Sequence, residues 1–127
     1  MNARKQQAYR RGVDAETLAA HWLEQKCGMT IHAVRLRTAG GEIDILAQDN
    51  DTLVVVEVKA RALRDDGLFS ITPAKQKRLA RAAEAVLMEA DKFAGLPPSH
   101  AINIRFDAII ITPGDAPYHL PNAWMVE

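Results

Sequence analysis

The chain has 127 residues, 48% of them hydrophobic and 25% charged, with sixteen basic side chains balanced by sixteen acidic ones. That length suits a single domain over residues 1–127, and so ordinary a composition excludes disordered and fibrous classes. The balanced charge gives no global sign of nucleic-acid binding, a lone Cys27 excludes an internal disulfide and a cysteine-based zinc site, and the lack of any apolar run near the ~20 residues of a membrane helix, or of a signal-peptide core, predicts a cytoplasmic protein with no membrane association.

In chain order, Ala15, Leu18, Ala19, Trp22 and Leu23 recur at helical spacing, and Gly28 stands where that helix should stop. "MTIHAVRLR" has the β-branched content and partial alternation of a strand, "AGG" is a turn, and "EIDILAQ" and "TLVVVEVKAR" predict two more strands joined through Asn50 and Asp51. "ALRDDGLFSIT" reads as a loop. Thr72 and Pro73 then supply an N-cap and a first helical residue, ahead of an apolar stripe at Leu79, Ala82, Ala83, Val86, Leu87 and Ala90. "GLPPS" breaks the pattern, and "AINIRFDAIIIT" predicts a last long strand before a proline-rich tail. The order helix, three strands, helix, strand implies an α+β fold whose helices cover a mostly antiparallel or mixed sheet.

The charges inside these strands need explaining. Alternation places Glu42 and Asp44 on one face with Ile43 and Ile45 on the other, and gathers Glu57, Lys59 and Arg61 on a face opposite Val56 and Val58. A two-residue turn at Asn50–Asp51 sets Asp44 across from Glu57 and Glu42 across from Lys59. Opposed residues have Cα atoms only about 4.5–5.5 Å apart, and facing like charges cost up to about 1 kcal/mol. A divalent cation offsets that repulsion, and magnesium, a hard ion that takes oxygen ligands and keeps several waters, suits two carboxylates and a phosphate oxygen. The plainer alternative is an amphipathic hairpin with a Glu42–Lys59 ion pair and solvated acids. Against it, "LVVVEV" is apolar on both faces and reads as an interior strand, where an unpaired acid is costly.

Basic residues cluster at Arg4, Lys5, Arg10 and Arg11, at Arg35, Arg37, Arg61 and Arg64, and at Lys75, Lys77, Arg78 and Arg81. Lys75 and Arg78 lie in register with the stripe of the second helix, so its first turn can grip phosphate, with a solvated basic turn as the alternative; Arg61 is a second phosphate contact. His21, His32, His100 and His119 lack the spacing of a metal pair. Asp107 is assigned to structure, pairing with Arg105 or steadying the edge of the site, and Trp22 and Trp124 to packing.

Asp44, a short hairpin and Glu57-Val58-Lys59 resemble the catalytic signature of the PD-(D/E)xK, restriction-endonuclease-like nucleases. The wider series "GVDAETLAAHWLEQKCG", "GGEIDILAQDNDTLVVVEVKAR", "ITPAKQKRLARAAEAVL" and "NIRFDAIII" is similar to the bacterial YraN family of predicted endonucleases, distantly similar to archaeal Holliday-junction resolvases. The resemblance implies an α/β/α layered, restriction-endonuclease-like fold, a central mixed sheet whose antiparallel hairpin carries the site, and Mg2+-dependent DNA hydrolysis with Mn2+ as a substitute. It places the metal on Asp44, Glu57 and the Val58 carbonyl, makes Lys59 the catalytic lysine, and assigns the first-helix acid to Glu16, which either reaches the sheet or faces water. Ile43 stands where the superfamily's proline would be. Branched or flap DNA and a homodimer are further implications. A nuclease fold kept as a non-catalytic nucleic-acid- or protein-binding module, or as a structural partner in a complex, is the competing expectation.

Overall fold

The computed structural model describes residues 3–93, 95–96 and 102–125; His100, the Pro-Pro-Ser of the interruption, and the side chains of residues 5 and 7–13, which include Lys5, Arg10 and Arg11, lie outside the described part. A long helix α1 (Ala3–Cys27) leads into strands β1 (Thr30–Thr38), β2 (Gly41–Asp49) and β3 (Thr52–Ala60). A short α2 (Arg64–Phe69) and then α3 (Pro73–Met88) precede β4 (Asn103–Ile111) and β5 (Tyr118–Leu120). The strands form one sheet in the order β1-β2-β3-β4-β5, parallel between β3 and β4 and antiparallel elsewhere. A mixed five-stranded sheet flanked by helices is an α+β arrangement compatible with the restriction-endonuclease-like layered fold. Among the described residues no helix is long and apolar enough to cross a membrane.

Small residues let α1 lie close to the sheet: Ala15, Ala19 and Leu23, one turn apart, bury against Ile45, Val54, Val56 and Ile109. Gly28, at φ 67, ends the helix, and the Met29 N–H reaches back to the Leu23 carbonyl at 3.2 Å. On the other face Leu79, Ala82, Ala83 and Val86 of α3 pack on Ile43, Leu46, Leu53, Val55 and Phe106. Each fully buried Leu, Ile or Val contributes about 1.5–3 kcal/mol, so the sheet is fixed between two apolar layers. Helix α3 starts as its sequence predicts, with Pro73 at the first turn and Thr72 Oγ1 accepting from the Lys75 N–H at 3.3 Å.

Two elements lie beyond the sequence expectation. Within the stretch read as a loop, α2 has no apolar stripe; it is seated by close approach, because a Cβ on Gly67 would stand 2.8 Å from the Ile110 side chain. Strand β5, only three residues, was part of the tail and is too short to show a period; it exists through pairing with Ala108–Ile110 of β4.

The β2–β3 register is the one the Asn50–Asp51 turn dictates, with Leu46 opposite Val55, Ile45 opposite Val56, and Asn50 at φ 56. The expected faces need one correction. Ile43 and Ile45 do not share a face: Ile45 packs in the α1 layer and Ile43 in the α3 layer. The cause lies across the ladder, where Arg35, at φ 58, stands between the pairs Val34–Ile45 and Leu36–Ile43 and so faces Asp44. A left-handed residue interrupts the pleat, and β1 slips too, since Ala33 and Leu36 both lean on the α3 layer.

Candidate active site

The slip has a consequence at the end of the hairpin. The β2–β3 ladder stops at Ile45–Val56, one step short of Asp44 and Glu57, so the strands part where the acids begin. Asp44 fills the fork: its Oδ2 accepts the Val58 N–H at 2.8 Å, standing in for a ladder bond. Because N–H and C=O of one strand residue leave on the same edge, the Val58 carbonyl also faces the fork. An open cleft of about 810 Å³ lies there, with Glu16, Asp44, Glu57, Lys59, Arg61 and Lys75 among its lining residues.

Each acid has an internal partner. Glu57, only 3% exposed, is held through one oxygen by two ammonium groups, Lys59 Nζ at 3.1 Å and Lys75 Nζ at 2.9 Å. Glu16, 7% exposed, reaches the sheet side of α1 and meets Arg35 Nε at 2.8 Å. Burial raises the Glu16 carboxyl, against the pull of Arg35 and of a hydrogen bond with Asp44. Asp44 is pushed up to about 8, by burial first and then by the Glu57 carboxylate, against the Val58 N–H and with Glu16 adding to the repulsion. Burial, then the neighbouring Lys75, lowers Lys59.

Other expected positions fall differently. Glu42 does not meet Lys59, because the ladder has already ended; it faces Arg37 across β1–β2, with the charged atoms 3.9 Å apart. Arg78 does not line the cleft: its side chain covers the β1–β2 turn, where a Cβ on Gly41 would lie 3.1 Å from Arg78 Cγ. Asp107 is structural, gripped by Arg105 at 2.8 and 2.9 Å and by His119 at 2.8 Å. Trp124 stacks on Phe106 and Trp22 meets His119 edge-on, as packing residues do. Arg35 is the site neighbour that sequence reasoning missed, having been counted only as one of a basic group. Nothing in the local sequence "VRLR", which alternates as a regular strand does, marks it.

The donor set is carboxylate and carbonyl oxygen, the chemistry of a hard divalent ion such as Mg2+. Among the described residues no three His, Cys, Asp or Glu side chains are already gathered as a metal cage. Asp44, Glu57 and the Val58 carbonyl are nevertheless oxygen donors of the kind that would suit such an ion completed by phosphate and water, and burial first, then the Glu57 carboxylate, raises the Asp44 carboxyl there.

The profile of "Uncharacterised protein family UPF0102" matches residues 15–111. The chain belongs to UPF0102. This is the YraN family of the sequence resemblance. A UPF0102 protein of Rhodopseudomonas palustris is 45% identical over 118 residues, 92% of this chain and 85% of the relative. One from a Bradyrhizobium strain is 46% identical over 114 residues, 89% of this chain and 78% of the relative. One from Paramagnetospirillum magneticum is 39% identical over 126 residues, 96% of this chain and 92% of the relative. The matched span of this UPF0102 chain contains Glu16, Arg35, Asp44, Glu57, Lys59 and Lys75.

The raised Asp44 carboxyl predicts a pH dependence of stability. Between its ordinary value near 3.8 and about 8 the folded chain holds a proton that the unfolded chain has released. Stability therefore falls as pH rises through that window, by on the order of a few kcal/mol, in metal-free buffer. Asp44→Asn keeps an oxygen for the Val58 N–H and removes the titration. Thermal melts with a chelator at about pH 5, 6.5 and 8 should show the variant gaining on the wild type as pH rises, to become the more stable at pH 8. A difference between the two that stays constant with pH contradicts the assignment.

Proposed function

We propose that this UPF0102 protein is a divalent-metal-dependent endonuclease that hydrolyses DNA phosphodiester bonds. The observation carrying the reading is the fork itself: a buried carboxylate, Glu57, and a half-buried one, Asp44, from neighbouring strands come together in an open cleft, with the Lys59 ammonium 3.1 Å from Glu57. A protein that only binds has no need to crowd two carboxyl groups so closely that one of them keeps its proton up to about pH 8.

Asp44, Glu57 and the Val58 carbonyl would hold the cation. When bound, Mg2+ supplies charge neutralisation at the scissile phosphate and a lowered pKa for an attacking water. Glu16 stands behind Asp44 as a further acid. Lys59, whose burial weakens its hold on its proton, is placed beside Glu57 to orient the nucleophile and to balance the charge growing on phosphorus. Lys75 and Arg61 grip the phosphate backbone from the rim, Lys75 exchanging its contact with Glu57 for one with DNA. Positioning and electrostatics carry the chemistry, as phosphoryl transfer requires.

The test is incubation of the purified protein with linear, flap and four-way branched DNA in Mg2+, Mn2+ or chelator. Cleavage that needs the metal supports the reading. Binding without cleavage under every condition overturns it in favour of the non-catalytic module, while a preference among the three substrates decides the expectation of branched DNA.

A further inference from the structure

We propose that Arg35 is a positioning residue whose left-handed backbone lets its guanidinium aim the Glu16 carboxylate at the cleft. The inference rests on the reading of the cleft as a divalent-cation site and adds a residue to its outer shell.

Arg35 lies in edge strand β1, on the far side of β2 from Glu57, where α1 also packs. Three observations set this position apart. Its φ is 58, a region in which an arginine is strained and which recurs at functional sites. The packing faces of β1 and β2 change between the pairs Val34–Ile45 and Leu36–Ile43 without a shift of register there, and Asp44 stands opposite Arg35 where they change. Arg35 Nε lies 2.8 Å from Glu16 Oε2, a carboxylate that is almost wholly buried.

One irregular residue thus sets two acids: directly Glu16, through the ion pair, and indirectly Asp44, through the change of face. A pair that merely fastened α1 to the sheet edge would need neither the strained backbone nor a carboxylate at the cleft wall, since Ala15, Ala19 and Leu23 already pack that helix down. Outer-shell partners of this kind fix the direction of a ligand or of the acid behind it.

The test uses Mn2+ binding, measured by calorimetry at neutral pH and well below each variant's melting temperature. Arg35→Gly suits the left-handed backbone while removing the guanidinium, and circular dichroism confirms that the variant is folded before titration. We expect it to bind Mn2+ about 10-fold or more weakly than wild type. Glu16→Gln should lose a similar factor, and the double variant Arg35→Gly with Glu16→Gln should lose little more than either alone, because both act through one contact. Wild-type affinity in Arg35→Gly, or losses that multiply in the double variant, would overturn the role of Arg35 and leave the cation site standing. A wild type that takes up no Mn2+ would overturn the cation site, and the role of Arg35 with it.

Discussion

Replacing Asp44 or Lys59 with alanine should remove metal-dependent DNA cleavage while the protein stays folded. Asp44 is poorly placed as a carboxylate in the metal-free chain: burial first, then Glu57 and Glu16, raise it, against the Val58 N–H. Its loss should cost little stability but remove a direct ligand, lowering the cleavage rate by about 10³-fold or more, on the order of 4 kcal/mol of transition-state stabilisation. Lys59→Ala leaves Glu57 paired with Lys75 at 2.9 Å, so the fold has a second cation to lean on. Losing a preorganised charge at the reacting centre costs about 10²–10³-fold. Initial rates on a flap or branched substrate, with circular dichroism to confirm folding, check both. Either variant cleaving within a few-fold of wild type would remove that residue from the chemistry.

Asp107→Ala should produce the largest loss of stability. The carboxylate is fully buried and accepts from Arg105 Nε at 2.8 Å and Nη2 at 2.9 Å, from His119 Nε2 at 2.8 Å and from the Asn122 N–H at 2.9 Å. Burial works to raise this carboxyl, but His119, Arg105 and Asn122 together hold it below the ordinary range. Removing the buried carboxylate takes the shared acceptor from Arg105, His119 and the Asn122 N–H and leaves a cavity, at a cost of about 3–5 kcal/mol. Arg105 keeps only a longer contact to Asp49, at 3.5 Å. For a chain of this size the melting temperature should drop by roughly 10–20 °C. The loss should begin at β5 and the tail, since the Asp107 contacts to His119 and Asn122 join β4 to both. Hydrogen exchange that shows β5 released before the α1 layer would confirm that order. A melting temperature within a few degrees of wild type would contradict it.

Asp44, Lys59 and Asp107 show what was legible in the sequence and what was not. The strand register was legible, because the Asn-Asp turn fixes its phase and an apolar strand slipped by one residue would turn its buried side chains to the other face. From that register Asp44 and Glu57 follow, since facing acids within an apolar strand need a reason. The N-terminus of α3 was equally plain in Thr72 and Pro73. What could not be read depends on contacts distant in sequence. Neither α2 nor β5 has a pattern of its own, the one seated by Gly67 on Ile110 and the other by β4. The left-handed turn at Arg35 carries no residue preference, so the separation of Ile43 from Ile45 and the early end of the ladder were hidden. With them went the true partner of Glu42 and the pull of Arg35 on Glu16. Arg105 as a partner of Asp107 was legible at two residues' distance, whereas His119, twelve residues away on another strand, was not.

The most direct measurement of the central claim is calorimetric titration of the wild type with Mn2+ in buffers of different ionisation enthalpy near pH 7, where the number of protons released accompanies the affinity. With the Asp44 carboxyl pushed up to about 8, a cation that settles between Asp44 and Glu57 must displace the proton held there. The account predicts saturable binding with release of about one proton per ion, both lost in Asp44→Asn. Absence of binding at millimolar Mn2+, or binding that survives Asp44→Asn with the same proton count, would contradict it.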